Sequence, residues 1–449
     1  KYIIEKLSEN NKIFVNINDI KNIIKETESQ EKIKTNEDNF YIIDKYDVTN
    51  KQLSQGKVED FHKLFLHKYE VLSKIIKGRN GTSYITIEEA KKQSRNKEVD
   101  IIGMVLDKRT TKNENLMFVV DDPTEKTNVI ITKKEEDLFK EGKELLLDNV
   151  VGFKCVVLSN NFFIVKEIIY PDMPFIERNN CLKDDKYIAI IGDTHVGSKQ
   201  FLEKEFNDFI GWLNLIENQD EEIVNKIKYL VIAGDVVDGI GIYPKQYDEL
   251  TIPNIFEQYT QFEEYILKIP KHIQIFITPG NHDAIKTSDP QPALTDKLLP
   301  RLSKEKNIHL IGSPSWVVFD SFKTLIYHGY ALHGIYAQIK SAKMDAPETA
   351  IKEVLKRRDL MPSYGDRQIF SPIEKNFLVI PEVPDIYIGA DVHHHGYSKY
   401  KNCHIINAST WQSITSFQES VGHKPTLCKV LLFNLKTEKV LIKDFYKKE

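Results

Sequence analysis

Three apolar runs decide the fold, and each leads into a polar loop: YIAIIGDTH (187–195), YLVIAGDVVD (229–238) and QIFITPGNHD (274–283). Runs of four or five apolar residues with almost no alternation are typical of strands buried on both faces, in a sheet covered by helices. In such sheets, ligands bind beyond the carboxyl ends of the strands. We therefore expect the polar side chains after these runs to meet in one crevice.

The side chains that follow these runs are of the types that bind metal ions. The three loops supply Asp193, His195, Asp235, Asp238, Asn281, His282 and Asp283. Two later stretches, LIYHGY (325–330) and DIYIGADVHHHGY (385–397), add candidates at the ends of predicted strands, namely His328, Asp391, His393, His394 and His395. Oxygen and nitrogen donors from consecutive strand ends predict a two-metal site.

Length and composition are those of an ordinary soluble protein with more than one domain. A chain of 449 residues is long for a single domain, so we expect two or three. No apolar run approaches the roughly 20 residues of a spanning helix, which predicts no membrane anchor. Four scattered cysteines without a CxxC pair favour a reducing, cytoplasmic setting. Because the sequence begins at Lys1 and not at Met, we expect further residues upstream.

Residues 1–96 form an amino-terminal region in which one helix stands out. The segment KVEDFHKLFLHKYEVLSKIIKGR (57–79) carries apolar residues at helical spacing. Gly78 and the loop at 81–83 predict the end of this helix. Residues 26–38 are expected to be a linker.

Residues 97–178 read as a small closed barrel of the oligonucleotide-binding type. The predicted strands lie in VDIIGMVLDKRTT (99–111), NLMFVVDDPTEKTNVIIT (115–132), NVVGFKCVVLS (149–159) and FFIVKEIIYP (162–171), with a helix at 134–141. A loop with Lys108, Arg109 and Lys112 is a candidate to track a phosphate backbone. Phe118, Phe162 and Phe163 are either base-stacking residues or core residues, and the lysines are either DNA contacts or solvated. Net charge of −4 decides neither question.

From residue 179 to 449 the pattern alternates strand and helix. After the three opening runs, six more strands are predicted, at 308–311, 316–319, 324–327, 386–388, 404–407 and 429–433. This number of strands is enough for two sheets packed as a sandwich with outer helices. The predicted fold class is therefore α/β, in an α+β arrangement of two domains: a barrel followed by a β-sandwich flanked by helices.

The order of the motifs resembles that of the calcineurin-like metallophosphoesterase superfamily. Asp-x-His, Gly-Asp, Gly-Asn-His-Asp, His-Gly and a final two-ligand turn recur in sequence. The barrel segment IIGMVLDKRTTKN (101–113), the turn VVDDPTEK (119–126) and later stretches narrow the resemblance to the small subunits of archaeal family D DNA polymerase. The later stretches are IIYPDMP (168–174), RRDLMPSYGDR (357–367), VPDIYIG (383–389) and INASTWQS (406–413).

This resemblance implies a function and partners. Members of the family are 3′ to 5′ exonucleases that assemble with a large polymerising subunit. We accordingly expect a proofreading subunit that hydrolyses phosphodiesters at single-stranded or frayed 3′ ends and releases nucleoside monophosphates. Its expected partners are DNA, the large subunit and, through the holoenzyme, a sliding clamp. Arg357, Arg358 and Arg367 are candidates to extend a basic path for DNA.

The resemblance also assigns roles within the motifs. Asp193, His195 and His393 are expected to bind one metal ion, and Asp235 to bridge two. Asn281, His328 and Asp391 are expected to complete the second ion site. His282 is the expected proton donor to the departing 3′ oxygen, held by Asp283. Ligands without thiolate favour manganese, with magnesium, zinc and iron as alternatives.

One departure from the family pattern leaves alternatives open. The last motif is usually Gly-His-x-His, whereas this chain has Ala390-Asp391-Val392-His393. A carboxylate also suits manganese, but it makes the site more negative by one unit. A scaffold subunit with a weak or silent site is therefore one alternative, and a stand-alone phosphoesterase is another. Asp238 is interpreted as a structural cap and His333 as a loop residue, neither of them a ligand.

Overall fold

The structure is a computed structural model that describes residues 39–51, 54, 56–81, 83–176, 182–216, 220–365, 369–373 and 375–446. The predicted linker at 26–38 and the candidate Arg367 lie outside the described residues. The part before the barrel contains β1 (Phe40–Ile42), a 3-10 turn (Asp44–Tyr46), α1 (Val58–Asn80) and α2 (Ile87–Lys91).

The predicted helix of the amino-terminal region is α1, and it lies one residue later than the predicted segment 57–79. It continues through Gly78 to Asn80 and is followed by Gly81 with a left-handed φ of 60°. Of the two predicted end signals, the one at Gly81 is confirmed and the one at Gly78 is not, because Gly81 supplies the positive φ that ends helices. Leu72 and Ile76 pack against strands of the barrel. Leu64 packs in a buried cluster of the domain that follows the barrel in the chain. The helix therefore bridges the two parts.

A closed five-stranded barrel follows. Its elements are β2 (Glu98–Thr110), β3 (Leu116–Asp121), β4 (Lys126–Ile131), α3 (Glu136–Lys143), β5 (Val150–Ser159) and β6 (Phe162–Ile169). The strand order is β2-β3-β4-β6-β5, with one helix before β5. Alternate residues of β3 and β4 point inward and are buried. The predicted barrel is present, with its helix two residues later than expected.

Together with β1, the rest of the described chain forms two six-stranded sheets with helices outside them. The strands are β7 (Tyr187–Ile191), β8 (Ile227–Ala233), β9 (Gln274–Thr278), β10 (Ile308–Leu310), β11 (Ser315–Phe319), β12 (Phe322–Ile326), β13 (Ile386–Gly389), β14 (Gly396–Tyr400), β15 (Cys403–Asn407), β16 (Lys429–Asn434) and β17 (Val440–Asp444). The α-helices are α4 (Glu203–Leu213), α5 (Glu221–Val224), α6 (Ile255–Ile266), α7 (Leu332–Gln338), α8 (Glu348–Arg357) and α9 (Ser416–Ser420).

The two sheets pack face to face. One has the order β10-β9-β8-β7-β16-β17 and the other β1-β11-β12-β13-β15-β14. Ile190 and Val231 of the first sheet share a buried cluster with Ile326 and Ile388 of the second. Because these strands are buried on their other faces as well, they read in sequence as unbroken apolar runs.

Helices cover both outer faces of the sandwich. Phe206 of α4 and Phe262 of α6 pack with Ile191 on the outside of the first sheet. Val354 of α8 packs with Tyr387 on the outside of the second sheet. Among the described residues, no helix is both long and apolar enough to cross a membrane.

The direction of the strands places the carboxyl ends of several strands from both sheets at the site. Strands β7, β8, β9 and β10 are mutually parallel, and β12, β13 and β15 are parallel in the other sheet. Their carboxyl ends therefore form two rows. The loops after β7, β8, β9, β12 and β13 carry the candidate ligands.

Candidate metal centre

The loops that carry the site residues are fastened to one another by backbone hydrogen bonds. Asp193 donates its N–H to the Gly234 carbonyl at 3.0 Å, and His195 donates to the Asp235 carbonyl at 3.0 Å. The Asp193 carbonyl accepts from Trp411 N–H at 3.0 Å and from the Thr410 hydroxyl at 2.9 Å. The first loop is therefore held from two sides.

Five candidate ligands have left-handed backbone conformations. The φ angles are 49° for Asp193, 47° for His195, 49° for Asp235, 73° for Asp391 and 55° for His393. Such conformations cost about 1–3 kcal/mol each for residues other than glycine and cluster at functional sites. Asp and His tolerate them better than most residues do. The repeated strain at one crevice is an observation in favour of function.

Two glycines allow the backbone to approach the candidate ligands closely. A Cβ on Gly280 would lie 2.1 Å from Asp235 Oδ1 and 2.7 Å from His328 Nε2. A Cβ on Gly234, which has a φ of 91°, would lie 2.4 Å from His328 Nδ1. A side chain at either position would therefore displace the imidazole of His328 or the carboxylate of Asp235.

Asp193, His195 and His393 converge as the sequence predicts. His195 Nε2 lies 3.0 Å from His393 Nε2, and His393 Nε2 lies 3.9 Å from Asp193 Oδ1. Ligand atoms of the three residues all lie within 4.8 Å of one another, and the three side chains are buried. The arrangement is suited to one metal ion.

The residues expected at a second ion also meet. His328 Nε2 lies 3.1 Å from Asn281 Oδ1, 3.4 Å from Asp235 Oδ2 and 3.8 Å from Asp391 Oδ1. Asp235 Oδ2 is also 3.8 Å from His195 Nε2, so its carboxylate faces both groups. A carboxylate that faces both groups is a candidate to bridge two ions.

The buried charges indicate that a cation fits here. Asp193, Asp235 and Asp391 have side-chain exposures of 0%, 3% and 5%. Burial raises the pKa of Asp193 well above its usual range. Burial acts in the same direction on Asp235, but His328 and neighbouring imidazoles outweigh it and lower the pKa. Within the described ranges, the ion-pair partners of these carboxylates are histidines. Because buried charges are paired or coordinate metals, the residues present fit a divalent cation.

The outer nitrogens of the histidine rings are fixed by neighbouring groups. His328 Nδ1 donates to the Ala233 carbonyl at 2.7 Å. His195 Nδ1 lies 3.3 Å from Asp238 Oδ1, and His393 Nδ1 lies 3.0 Å from the side-chain amide of Gln418. The Ala233 carbonyl and the Asp238 carboxylate are acceptors of the kind that set ring orientation and turn Nε2 toward a metal, whereas the Gln418 amide nitrogen is a donor that holds the His393 ring through Nδ1.

Asp238 is a positioning group and not one of the converging ligands. Its two carboxylate oxygens accept from Gln412 Nε2 at 2.7 Å and Gln246 Nε2 at 3.0 Å. The sequence interpretation of Asp238 as structural is therefore consistent with its contacts. The glutamines have no sequence signal, because isolated Gln residues distant in the chain form no recognisable motif.

The predicted pairing of His282 with Asp283 is wrong. His282 Nδ1 donates to the carbonyl of Asp238 at 2.7 Å, and its backbone N–H donates to Asp235 Oδ1 at 2.9 Å. The Asp283 carboxylate instead accepts from Gly280 N–H at 2.8 Å and from the Tyr259 hydroxyl at 3.0 Å. Burial, with the Asp235 charge adding to it, raises the pKa of Asp283 to about 7. Asp283 therefore organises the loop, while His282 stays beside Asp235.

His333 contacts a candidate metal ligand, which the sequence did not predict. Its Nε2 atom lies 2.9 Å from Asp391 Oδ2. The sequence interpretation as a loop residue missed this contact, since the two residues are 58 positions apart and share no motif.

Several residues expected to contact DNA are engaged within the protein. Lys108 donates to the carbonyls of Lys143 and Leu145 at 2.5 and 2.9 Å, and burial lowers its pKa. Arg357 and Arg358 are each only 2% exposed. The prediction that these arginines form a DNA path is therefore wrong, because they hydrogen-bond to buried protein groups.

The remaining barrel candidates divide by exposure. Arg109 and Lys112 are exposed, and their contact with a phosphate backbone stays a prediction. Phe118 and Phe163 are fully buried in the barrel core, so the core interpretation holds for them. Phe162 is 37% exposed.

Sequence comparison gives consistent relatives. The DNA polymerase alpha/epsilon B-subunit family matches residues 188–399. The "DNA polymerase II small subunit" of Methanocaldococcus jannaschii is 37% identical over 392 residues, which are 87% of this chain and 66% of that protein. The protein of the same name from Archaeoglobus fulgidus is 38% identical, over 84% of this chain and 76% of that protein. The one from Methanothermobacter thermautotrophicus is 34% identical, over 88% of this chain and 81% of that protein. The chain thus spans slightly under two thirds of the Methanocaldococcus protein.

Comparison with solved structures gives weaker likenesses. A structure described as a novel archaeal phosphodiesterase has a TM-score of 0.29 and 15% identity, with 57% of this chain and 98% of that chain covered. Asparaginyl-tRNA synthetase from Pyrococcus horikoshii has a TM-score of 0.18 and 17% identity, with 19% of this chain and 21% of that chain covered.

Proposed function

The chain belongs to the family of archaeal DNA polymerase II (family D) small subunits, and on that premise we propose that it is a metal-dependent 3′ to 5′ exonuclease. The observation that carries the proposal is the buried convergence of two groups that share Asp193: Asp193, His195 and His393, and Asp193, Asp235 and His328. A protein that served only as a scaffold would have no need of three buried carboxylates at one crevice.

The ligand roles proposed are those that the geometry allows. Asp193, His195 and His393 hold one cation, and Asn281, His328 and Asp391 hold a second, with Asp235 between them. When bound, two such ions lower the pKa of water and neutralise charge on a reacting phosphate. Manganese suits this set of oxygen and nitrogen donors.

His282 is the proposed proton donor in the reaction. Its Nδ1–H is committed to the Asp238 carbonyl, so Nε2 is the nitrogen left to carry a proton to the departing 3′ oxygen. Its ring lies edge-on to His195, with centroids 4.6 Å apart. The backbone contact to Asp235 fixes the distance of His282 from the centre.

Glycine and loop geometry support the proposed placement of these groups. Gly280 and Gly234 keep the backbone close to His328, and Asp283 fastens the loop that carries Asn281 and His282. Pre-organisation of this kind matters because a displacement of about 1 Å can cost about a hundredfold in rate.

The proposed partners follow from the family. We propose assembly with a large polymerising subunit, action on a single-stranded or frayed DNA 3′ end, contact with a sliding clamp through the holoenzyme, and a cytoplasmic location. The division into residues 1–96, 97–178 and 179–449 is likewise proposed as the domain organisation. Release of nucleoside monophosphates would allow a mismatched terminus to be removed before extension.

A scaffold with a weak site is the second candidate, and one observation favours it. Asp391 stands where the family motif has histidine, and its Oδ2 atom is engaged by His333. If that contact keeps Asp391 from the second cation, the protein would bind its partner without rapid hydrolysis.

Digestion of a 5′-labelled single-stranded oligonucleotide with manganese tests the proposal. A ladder that shortens from the 3′ end, and that is absent with Asp235→Ala or a chelator, is expected. Tyr397→Phe is a matched control, because Tyr397 is 40% exposed on β14 and contacts His404, outside the centre. No cleavage by the chain, alone or with the large subunit, would favour the scaffold.

A further inference from the structure

Two segments beside the metal centre, residues 239–247 and 414–421, expose large apolar side chains. Their exposed fractions are 40% for Ile240, 38% for Ile242, 63% for Tyr247, 40% for Ile414, 47% for Phe417 and 64% for Val421. We call these two segments the apolar shelf. Apolar surface concentrated beside a polar site indicates a surface that binds something.

An aromatic pair joins the two segments of the apolar shelf. The rings of Tyr243 and Phe417 are stacked, with centroids 5.6 Å apart and an interplanar angle of 27°. The Tyr243 ring also lies 6.3 Å from the ring of His282. The stacked pair therefore begins beside the proposed proton donor and extends outward to Phe417.

Hydrogen bonds fix the position of Phe417 relative to the metal centre. Phe417 lies in α9, whose first turn is closed by a reciprocal pair of hydrogen bonds between Thr415 and Gln418. The same Gln418 amide lies 3.0 Å from His393 Nδ1. A residue that orients a proposed metal ligand is thus the direct neighbour of the exposed aromatic ring.

The Tyr243 side of the shelf is fixed in the same manner. The Tyr243 hydroxyl donates to Glu249 Oε2 at 3.3 Å, and the Ser416 hydroxyl donates to the other oxygen of Glu249. Ile242 N–H donates to Gln246 Oε1 at 2.8 Å, and Gln246 in turn holds Asp238. Glu249 therefore links Tyr243 to the helix of Phe417, and the residue next to Tyr243 is held by a glutamine that also positions Asp238.

We propose that the Phe417 ring, backed by Tyr243, stacks the terminal nucleobase of a single-stranded DNA 3′ end; this inference rests on the exonuclease function proposed above. Every base has an aromatic face, so stacking binds any of the four bases. An enzyme that removes whichever nucleotide is wrong needs that tolerance. The shelf has the position for this role because its inner ring adjoins the group proposed to protonate the 3′ oxygen.

The kinetic test compares two oligonucleotides that differ only at the 3′ end, one with thymidine and one with an abasic tetrahydrofuran residue. In the native chain, kcat/KM should be on the order of tenfold higher for the terminal thymidine. In Phe417→Ala this ratio should fall to about one, and Phe417→Trp should restore it. A structural role for Phe417 would lower both rates together and keep the ratio, which would overturn the proposal.

A spectroscopic test does not depend on cleavage. An oligonucleotide with 2-aminopurine at its 3′ terminus is titrated with the native chain in EDTA, and stacking should quench its fluorescence. Phe417→Ala should abolish the quenching. The matched control is Phe175→Ala, since Phe175 is 69% exposed and its neighbour Ile176 accepts from Asn402 at the end of β15 opposite to the site.

The outcomes separate the two proposals. Quenching by the native chain and Phe175→Ala, but not by Phe417→Ala, supports stacking. Absence of quenching by the native chain overturns it and leaves the apolar shelf as a surface for a protein partner. Quenching without degradation of either oligonucleotide, by the chain alone or with the large subunit, would contradict the exonuclease function and leave nucleobase binding in place.

Discussion

Asp391 and His333 form a direct contact at the edge of the metal centre, with His333 Nε2 2.9 Å from Asp391 Oδ2. The other oxygen of the same carboxylate lies 3.8 Å from His328 Nε2. The residue that departs from the family motif is therefore held between two imidazoles. Its backbone N–H also donates to the Asp193 carboxylate, at 3.1 Å to Oδ2. These contacts fix the orientation of the Asp391 carboxylate.

His333→Ala should weaken metal binding by about tenfold to a hundredfold, as loss of a partner that orients a ligand does in other metal sites. Calorimetric titration with manganese measures the change. The control is His62→Ala, because His62 is exposed on α1. An unchanged affinity in His333→Ala would show that the contact does not position Asp391.

Asp391→His restores the usual final motif and should retain exonuclease activity within about tenfold, since imidazole and carboxylate both suit the proposed cation. Asp391→Ala removes the donor and should lower kcat by about a hundredfold or more. The two rates are measured on the same single-stranded oligonucleotide. Equal activity of Asp391→Ala and the native chain would remove Asp391 from the ligand set.

His282→Ala and Asp283→Asn should fail in different ways. His282→Ala is expected to lose nuclease activity by about a hundredfold while its melting temperature stays unchanged, because the loss is that of a proton donor. Asp283→Asn keeps one acceptor oxygen for donors that include Gly280 N–H and the Tyr259 hydroxyl. It should therefore lose about 1–3 kcal/mol of stability. Thermal denaturation beside the activity assay distinguishes the two, and a melting temperature equal to that of the native chain in Asp283→Asn would contradict its proposed role in the loop.

Arg357→Met should destabilise the contact between the barrel and the sandwich. The Arg357 guanidinium donates to Asn149 Oδ1 at 3.2 Å and to the Glu144 carbonyl at 2.8 Å, both in the barrel part, and it also pairs with Glu353. Removing one partner of a buried ion pair costs about 3–5 kcal/mol, which denaturant unfolding measures.

Arg109→Met is the matched exposed substitution. It should leave stability within about 0.5 kcal/mol and, if Arg109 contacts a phosphate, reduce the salt slope of DNA binding by about one. A loss of stability as large as that of Arg357→Met would show that Arg109 has a structural role instead.

The sequence is sufficient to predict the barrel and the sandwich because their strands are either alternating or continuously apolar. It predicts the converging ligands because each follows a strand that ends at the same edge. Strands β1, β14 and β17 are not predicted. They lie at sheet edges, where short or half-exposed strands such as GYSKY (396–400) have weak apolar patterns.

The groups that orient the ligands are beyond sequence reasoning for a physical reason. Gln418 and His393 are 25 residues apart, and Gln412 and Asp238 are 174 apart, so only the folded chain brings them together. The pair Arg357 and Arg358 shows the reverse error, since two adjacent arginines read as a basic surface although both are buried. Burial of a charge depends on tertiary partners that the local sequence does not reveal.

The most direct measurement is anomalous diffraction at the manganese edge from crystals of the chain soaked in manganese. The account predicts two anomalous peaks, one among Asp193, His195 and His393 and the other among Asn281, His328 and Asp391, with Asp235 contacting both. In crystals of Asp235→Ala, occupancy of both peaks should fall. A single peak, or peaks remote from Asp235 in the native chain, would contradict the two-metal centre on which the proposed exonuclease function depends.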